Sequence, residues 1–254
     1  MFSMEDRVQY AKPQIMEVIC QLRFPTILSI GAKEPVDFQE QIRHDFPRYS
    51  RTEEKPVKIV NGKPEPQPPV TNYQFLSADG RWKVNLTNSF LALATPAYTN
   101  WETFANKLDS VLVHFIEIYK PAFFERIGLR YVNAVSRNAL GLADTPFSEL
   151  IQPGYLGLMA DEDINERAFA RITQEADVAL PGGCRLKLHC GPGMVKRNNV
   201  EEQEIRFILD NDIFMLGNIE MKHSAGALNT VHTNADRIFR GQITDTLHNA
   251  MEPI

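Results

Sequence analysis

The chain has 254 residues, 43% of them hydrophobic and 23% charged, with a formal net charge of -5. This is ordinary globular composition, long enough for one large domain or two small ones around a sizeable core. The acidic balance offers no general attraction to phosphates, so nucleic-acid binding would require a local basic patch.

Three cysteines, Cys20, Cys184 and Cys190, alternate with apolar residues and form no C-x-x-C pair. They read as small core hydrophobes, which argues against a disulfide framework and a zinc site. The start of the chain lacks a basic-then-apolar signal pattern, and no apolar run approaches the roughly 18 residues of a membrane span. A cytoplasmic location is expected, which leaves the Asn85-Leu86-Thr87 sequon without consequence.

In chain order, residues 1–12 are polar and expected to be loosely ordered. Ile15 to Phe24 reads as a strand, with Met16, Val18, Cys20, Leu22 and Phe24 on one face and Glu17 and Arg23 on the mixed face. Pro35 to Phe46 predicts a short helix stopped by Pro47, with Val36, Phe38, Ile42 and Phe46 as its stripe. The proline-rich stretch from Arg51 to Pro69 predicts an extended, exposed connection, with a tight hairpin turn at Asn61-Gly62 after Val57–Val60. Tyr73–Ser77, Trp82–Leu86 and Phe90–Thr95 read as successive antiparallel strands, turning at Asp79-Gly80 and Asn88-Ser89.

Thr99 stands three residues before Glu102, the spacing of a capping box. Beyond it Trp101, Phe104, Ala105, Leu108, Val111, Leu112, Phe115, Ile116 and Tyr119 recur at steps of three and four, predicting a long amphipathic helix that Pro121 ends. His114 sits at the border of that stripe.

The next strand runs through Pro121–Arg137. Phe123, Glu125, Ile127, Leu129, Tyr131, Asn133 and Val135 share one face; Phe124, Arg126, Gly128, Arg130, Val132 and Ala134 share the other. A glycine inside a strand marks a bulge or a close approach. Ser136 to Asp163 is irregular, with a helical turn expected at Phe147–Ile151, and reads as the junction between two similar halves at about 13–137 and 164–254 within a single domain.

Arg167–Leu180 reads as a long strand, turned by Pro181-Gly182-Gly183. Cys184, Leu186, Leu188 and Cys190 point inward, and Arg185, Lys187 and His189 outward, up to a stop at Gly191-Pro192-Gly193. Lys196–Gln203 is expected to be a polar loop. A strand over Glu204–Asp210 carries Ile205, Phe207 and Leu209 on one face and is interrupted by Asp210-Asn211-Asp212. Ser224–Phe239 predicts a second long helix with Leu228, Val231, Ala235, Ile238 and Phe239 as its stripe, weakened at Gly241. Ile243–Met251 predicts a last short helix. Strand runs followed by a long helix, twice over, indicate an α+β fold with antiparallel sheet and two long amphipathic helices on one face.

Pro13 with Glu17 and Leu22-Arg23-Phe24, the run Arg126-x-Gly128-x-Arg130-Tyr131-x-Asn133, Leu209-Asp210-x-Asp212 and Phe239-x-x-x-Ile243-Thr244 occur in that order. Together they resemble a sporadically distributed family of prokaryotic proteins of similar length. The sharpest element is the Arg-x-Gly-x-Arg-Tyr-x-Asn strand; Asn211 departs from the apolar residue expected between the two aspartates. The resemblance brings no activity or catalytic residue with it. It implies a patchily inherited accessory gene from mobile-element or defence neighbourhoods.

Arg126 and Arg130 are the leading candidates for binding, because two guanidinium groups on one strand face can grip a carboxylate or phosphate. The competing reading pairs them with Glu17, Asp210 or Asp212 in an ionic lattice. Asn133, beside Tyr131 on the apolar face, reads as structural bracing. Asp210 and Asp212 could hold Mg²⁺ or share a proton, against the simpler reading of a turn. Arg185, Lys187 and His189 form a short basic face without regularly interleaved aromatics, so nucleic acid is not the expected partner. No P-loop, G-x-G-x-x-G, G-x-S-x-G or H-E-x-x-H occurs, and no cofactor is implied.

The reading is therefore a non-enzymatic binding module whose polar sheet face, with Glu17, Arg23, Arg126, Arg130, Asp210 and Asp212 as candidate ligand-binding residues, accepts an acidic protein or small ligand. The alternative is an enzyme acting on a phosphorylated or carboxylate small molecule through its Asp and Arg residues. A homodimer paired through sheet edges or helices is the third expectation.

Overall fold

The computed structural model describes residues 8–55, 57–60, 63–66, 68–197 and 200–254. Eleven strands and five α-helices are formed by them: β1 (Ile15–Arg23), α1 (Leu28–Ala32), α2 (Val36–Ile42), β2 (Arg48–Glu54), β3 (Val57–Val60), β4 (Lys63–Pro66), β5 (Val70–Leu76), β6 (Lys83–Leu86), β7 (Phe90–Thr95), α3 (Trp101–Tyr119), β8 (Phe124–Val135), β9 (Gln174–Ala179), β10 (Cys184–Arg197), β11 (Val200–Ile219), α4 (Ser224–Gln242) and α5 (Asp245–Ala250). Nine strands form an open antiparallel sheet in the order β2-β5-β6-β7-β1-β8-β11-β10-β9, and β3 pairs with β4 apart from it. The α+β expectation therefore holds, with α3 and α4 packed on sheet. Among the described residues no helix is long and apolar enough to cross a membrane.

Two compact units are built from interleaved segments. The first comprises the chain up to Val18, Gly128–Met215 and Gly226–Ile254; the second comprises Ile19–Ile127 and Leu216–Ala225. The irregular 136–163 segment lies within the first.

In the second unit, α3 buries Trp101, Phe104, Leu108, Val111, Leu112 and Phe115. Phe115 meets Phe24 of β1 at a ring separation of 4.8 Å, and Phe38 of α2 meets Phe75 of β5 at 5.6 Å. The helix is capped by Asn100, whose Oδ1 accepts from Thr103 N–H at 2.8 Å, and not by the expected Thr99; asparagine caps as well as threonine, and the helix begins one residue later. Lys120 closes it in the left-handed region at φ 45°.

The hairpins at 77–82 and 87–90 form as predicted: Gly80, at φ 72°, donates to Ser77 O, and Thr87 N donates to Phe90 O. Two elements have no counterpart in the sequence reading. β2 pairs with β5 over its whole length, and α1 precedes α2, where Val36 stands exposed. The β3–β4 hairpin pairs Val60 with Lys63, as the expected turn requires, while Asn61 and Gly62 lie outside the described residues.

In the first unit, several expected interruptions are absent. Tyr10 bridges to Pro253, and the Ala11 and Lys12 amides donate to Glu252 and Met251 carbonyls, so residues 10–12 are tied down. β9 is confined to Gln174–Ala179, because Asn165 caps a 3-10 turn at Glu166–Ala168 in what read as strand. β10 runs through Gly191-Pro192-Gly193. Its pairing with β9 stops at Cys190, so the missing N–H of Pro192 costs no bond of that ladder. Gly191 is needed for another reason: a Cβ there would lie 2.6 Å from Ile172 O. The expected loop at 196–203 is largely strand, with Lys196 opposite Glu201.

β11 likewise passes through Asp210-Asn211-Asp212 without a break. Asn211 is buried and trades two hydrogen bonds with Gln242, each 2.8 Å, amide nitrogen to carbonyl oxygen in both directions. Phe207, Leu209 and Ile213 bury beside it, while Ile205 of the expected apolar trio is 51% exposed. Gly241 does not break α4, which continues to deliver Gln242.

Removing either amide strands the other inside the core. Gln242→Ala should lower unfolding free energy by about 1–3 kcal/mol in urea titrations, and an Asn211→Leu/Gln242→Leu double variant should recover part of that loss. Strict additivity of the two single changes would contradict the pair.

All three thiols are free and buried. Burial pushes Cys20 up to about 12 and Cys190 up to about 11. The reactive thiolate is therefore scarce at neutral pH, and a colourimetric thiol reagent should titrate no sulfur in the native protein and three after denaturation.

Candidate functional site

The outward face of the first unit is set by strand alternation. Where Leu186, Leu188 and Cys190 point into the core, Arg185, Lys187 and His189 point out. Their cross-strand partners on β9 are Ala179, Asp177 and Glu175; on β11 they are Phe214, Asp212 and Asp210. Acidic and basic strands thus alternate: carboxylates on β9, cations on β10, carboxylates on β11, and Arg130 on β8.

Arg130 grips Asp210 side-on. Its Nε donates to Oδ1 at 2.7 Å and its Nη2 to Oδ2 at 2.5 Å. The side chains are 46% and 14% exposed, so the pair sits at the surface with the carboxylate tucked beneath the guanidinium. The hydrogen bonds to Asp210 raise the Arg130 pKa further, with Asp212 and Glu17 adding charge attraction against a desolvation penalty. Of the expected partners, Asp210 therefore makes the contact and Asp212 and Glu17 act through space. Among the described residues no acceptor bonds Arg130 Nη1, which leaves that edge for another group. Arg185 uses the same two nitrogens but a single oxygen, its Nε and Nη2 both donating to Asp177 Oδ1 at 3.1 and 2.7 Å.

The remaining candidates fall elsewhere. Arg126 is half-buried in the second unit, with Nη1 3.5 Å from Gln21 Oε1. Arg23 is exposed at the end of β1. Tyr131 and Asn133 are buried on the inner face of β8. The Tyr131 hydroxyl lies 3.1 Å from His232 Nδ1, and His232 Nε2 lies 3.3 Å from Asp236 Oδ2. This chain of polar groups runs from β8 to α4, and the His232/Asp236 spacing of four on a helix was its one visible sign.

A second group with no sequence signal centres on Arg137, just past β8. Its Nη1 donates to Glu166 Oε1 at 2.6 Å and to Thr145 O at 3.0 Å, and the guanidinium carbon stands 4.1 Å over the Phe147 ring. Glu166 also accepts from Phe147 N–H at 2.8 Å. This knot forms one wall of a cavity of about 400 Å³, with Asp144, Asp161, Glu162 and Arg167 on the rim. A smaller cavity, about 250 Å³, lies between Glu34, Pro35, Val36, Gln39 and Tyr49. Neither is lined by Arg126, Arg130, Asp210 or Asp212. Among the described residues no three His, Cys, Asp or Glu side chains group as metal ligands.

The site belongs to an α+β protein with a charge-alternating sheet face. Compared with known proteins, the chain matches no family model and no curated protein.

The exposure of the two arginine pairs separates their roles. Arg130→Ala should cost about 1 kcal/mol or less, since a half-exposed pair is screened by solvent. Arg137→Ala should cost about 3 kcal/mol, because it strands a largely buried Glu166 and uncovers Phe147. Urea midpoints of the two variants check the order.

Proposed function

We propose that the protein is a non-enzymatic binding module whose outward sheet face in the first unit accepts an acidic segment of a partner. The observation that carries this reading is the geometry of Arg130. Asp210 holds its Nε/Nη2 side, so the side chain is oriented before any partner arrives, and its Nη1 edge is left toward the open face. An arginine fixed in this way loses little rotamer freedom on binding a carboxylate.

Arg185, braced by Asp177, and Lys187, between Asp177 and Asp212, extend the cationic positions. The interleaved carboxylates disfavour a continuous polyphosphate and favour an acidic segment whose carboxylates are spaced to meet the separate cations.

Quantitative affinity capture from the native host, with wild-type protein and an Arg130→Ala variant as baits, tests this. The expected result is at least one partner retained by the wild type, depleted with the variant and released by raised salt. A variant that folds normally and captures the same partners in the same amounts would overturn the reading.

A further inference from the structure

We infer that β2 is a dimerisation edge, which pairs antiparallel with β2 of a second copy of this chain. β2 ends the sheet order, and all seven of its residues are exposed. It pairs with β5 from Arg48 opposite Leu76 to Glu54 opposite Val70 with no shift in register. Its other edge therefore presents a straight row of peptide donors and acceptors, and among the described residues no backbone group bonds to it.

Edge strands are ordinarily blunted by bulges, internal proline, short length or charged side chains, lysine above all; the charges of β2 are two of each sign, so a copy of the strand can match them. β2 has no bulge, and its sequence RYSRTEE contains neither proline nor lysine.

The charge order along this strand selects the occupant. Arg48 and Arg51 stand in the first half, Glu53 and Glu54 at the end. Antiparallel pairing with a copy of itself sets the basic half against the acidic half; parallel pairing would set like against like. A two-fold axis perpendicular to the sheet keeps each side chain on its own face, so opposing residues must share parity. With Thr52 on the axis, Arg51 stands opposite Glu53 twice and Ser50 opposite Glu54 twice. Moving the axis to Arg51 would set two guanidinium groups face to face.

Arg51 is 65% exposed and bonds Glu34 at 2.7 Å through one nitrogen, so donors remain for a second carboxylate. The 250 Å³ cavity beside Tyr49, with Val36 56% exposed at its wall, adds apolar surface next to the edge for the incoming copy. The opposite end of the sheet does not share these features: β9 carries Glu175 and Asp177 as its only charges and would repel its own copy.

Light scattering and sedimentation equilibrium on the full chain test the inference. The expected mass is twice the 28.9 kDa of one chain, with dissociation on dilution. Thr52→Pro should give the single-chain mass. Because proline could also disturb the β5 ladder, charge reversal supplies an independent measure: Arg51→Glu and Glu53→Arg should each weaken the dimer by about tenfold, and the double reversal should restore it. A wild-type chain of single mass at every concentration, a dimer indifferent to Thr52→Pro, or single reversals that the double variant fails to rescue would each overturn it.

Discussion

The side-chain alternation through Asp210, Asn211 and Asp212 is the constraint on which the first unit depends. Asn211 points inward and meets Gln242 in a closed pair of hydrogen bonds. Asp210 points outward and meets Arg130. A slip of one residue would exchange these positions, placing carboxylates in the core and an amide outside. The amide pair also ties the end of α4 to β11, since both side chains are buried and bond each other in both directions. Register and helix docking thus rest on the same few atoms.

The outer arginines contribute differently. Half-exposed ion pairs add little to unfolding free energy, so the side-on grip of Arg130 and of Arg185 is better understood as orientation. Each aspartate removes rotamer freedom from a long side chain and leaves part of its guanidinium edge outward. Burial of Arg137 over Phe147, with Glu166 beneath, has the opposite emphasis: cation, carboxylate and ring all serve packing.

Elements with one buried face were legible from residue periodicity alone. β1, β5 to β8, α3 and α4 each carry a period of two or near 3.6 because one side of each is dry. β2 was not legible for the converse reason: RYSRTEE is exposed throughout, and nothing imposes alternation on it. The continuity of β10 through Gly-Pro-Gly was hidden by local chemistry that ordinarily ends strands and is tolerated here past the end of the β9 ladder. Long-range partners left almost no trace. Arg130 and Asp210 are 80 residues apart, and Asn211 and Gln242 are 31 apart. Composition could nominate three carboxylates for the arginines, but only the strand order selects one of them.

The interleaving of segments sets an order for folding during synthesis. Residues 19–127, which supply most of the second unit, are made consecutively and can collapse as they leave the ribosome. The strand around residues 15–18 is made earlier, yet Tyr10, Ala11 and Lys12 find their partners among residues 248–253. Gln14 and the strand after it meet β8 by mid-chain, since Gln14 O accepts from Ala134 N–H, but residues 10–12 are tied down only when almost the whole chain has been translated.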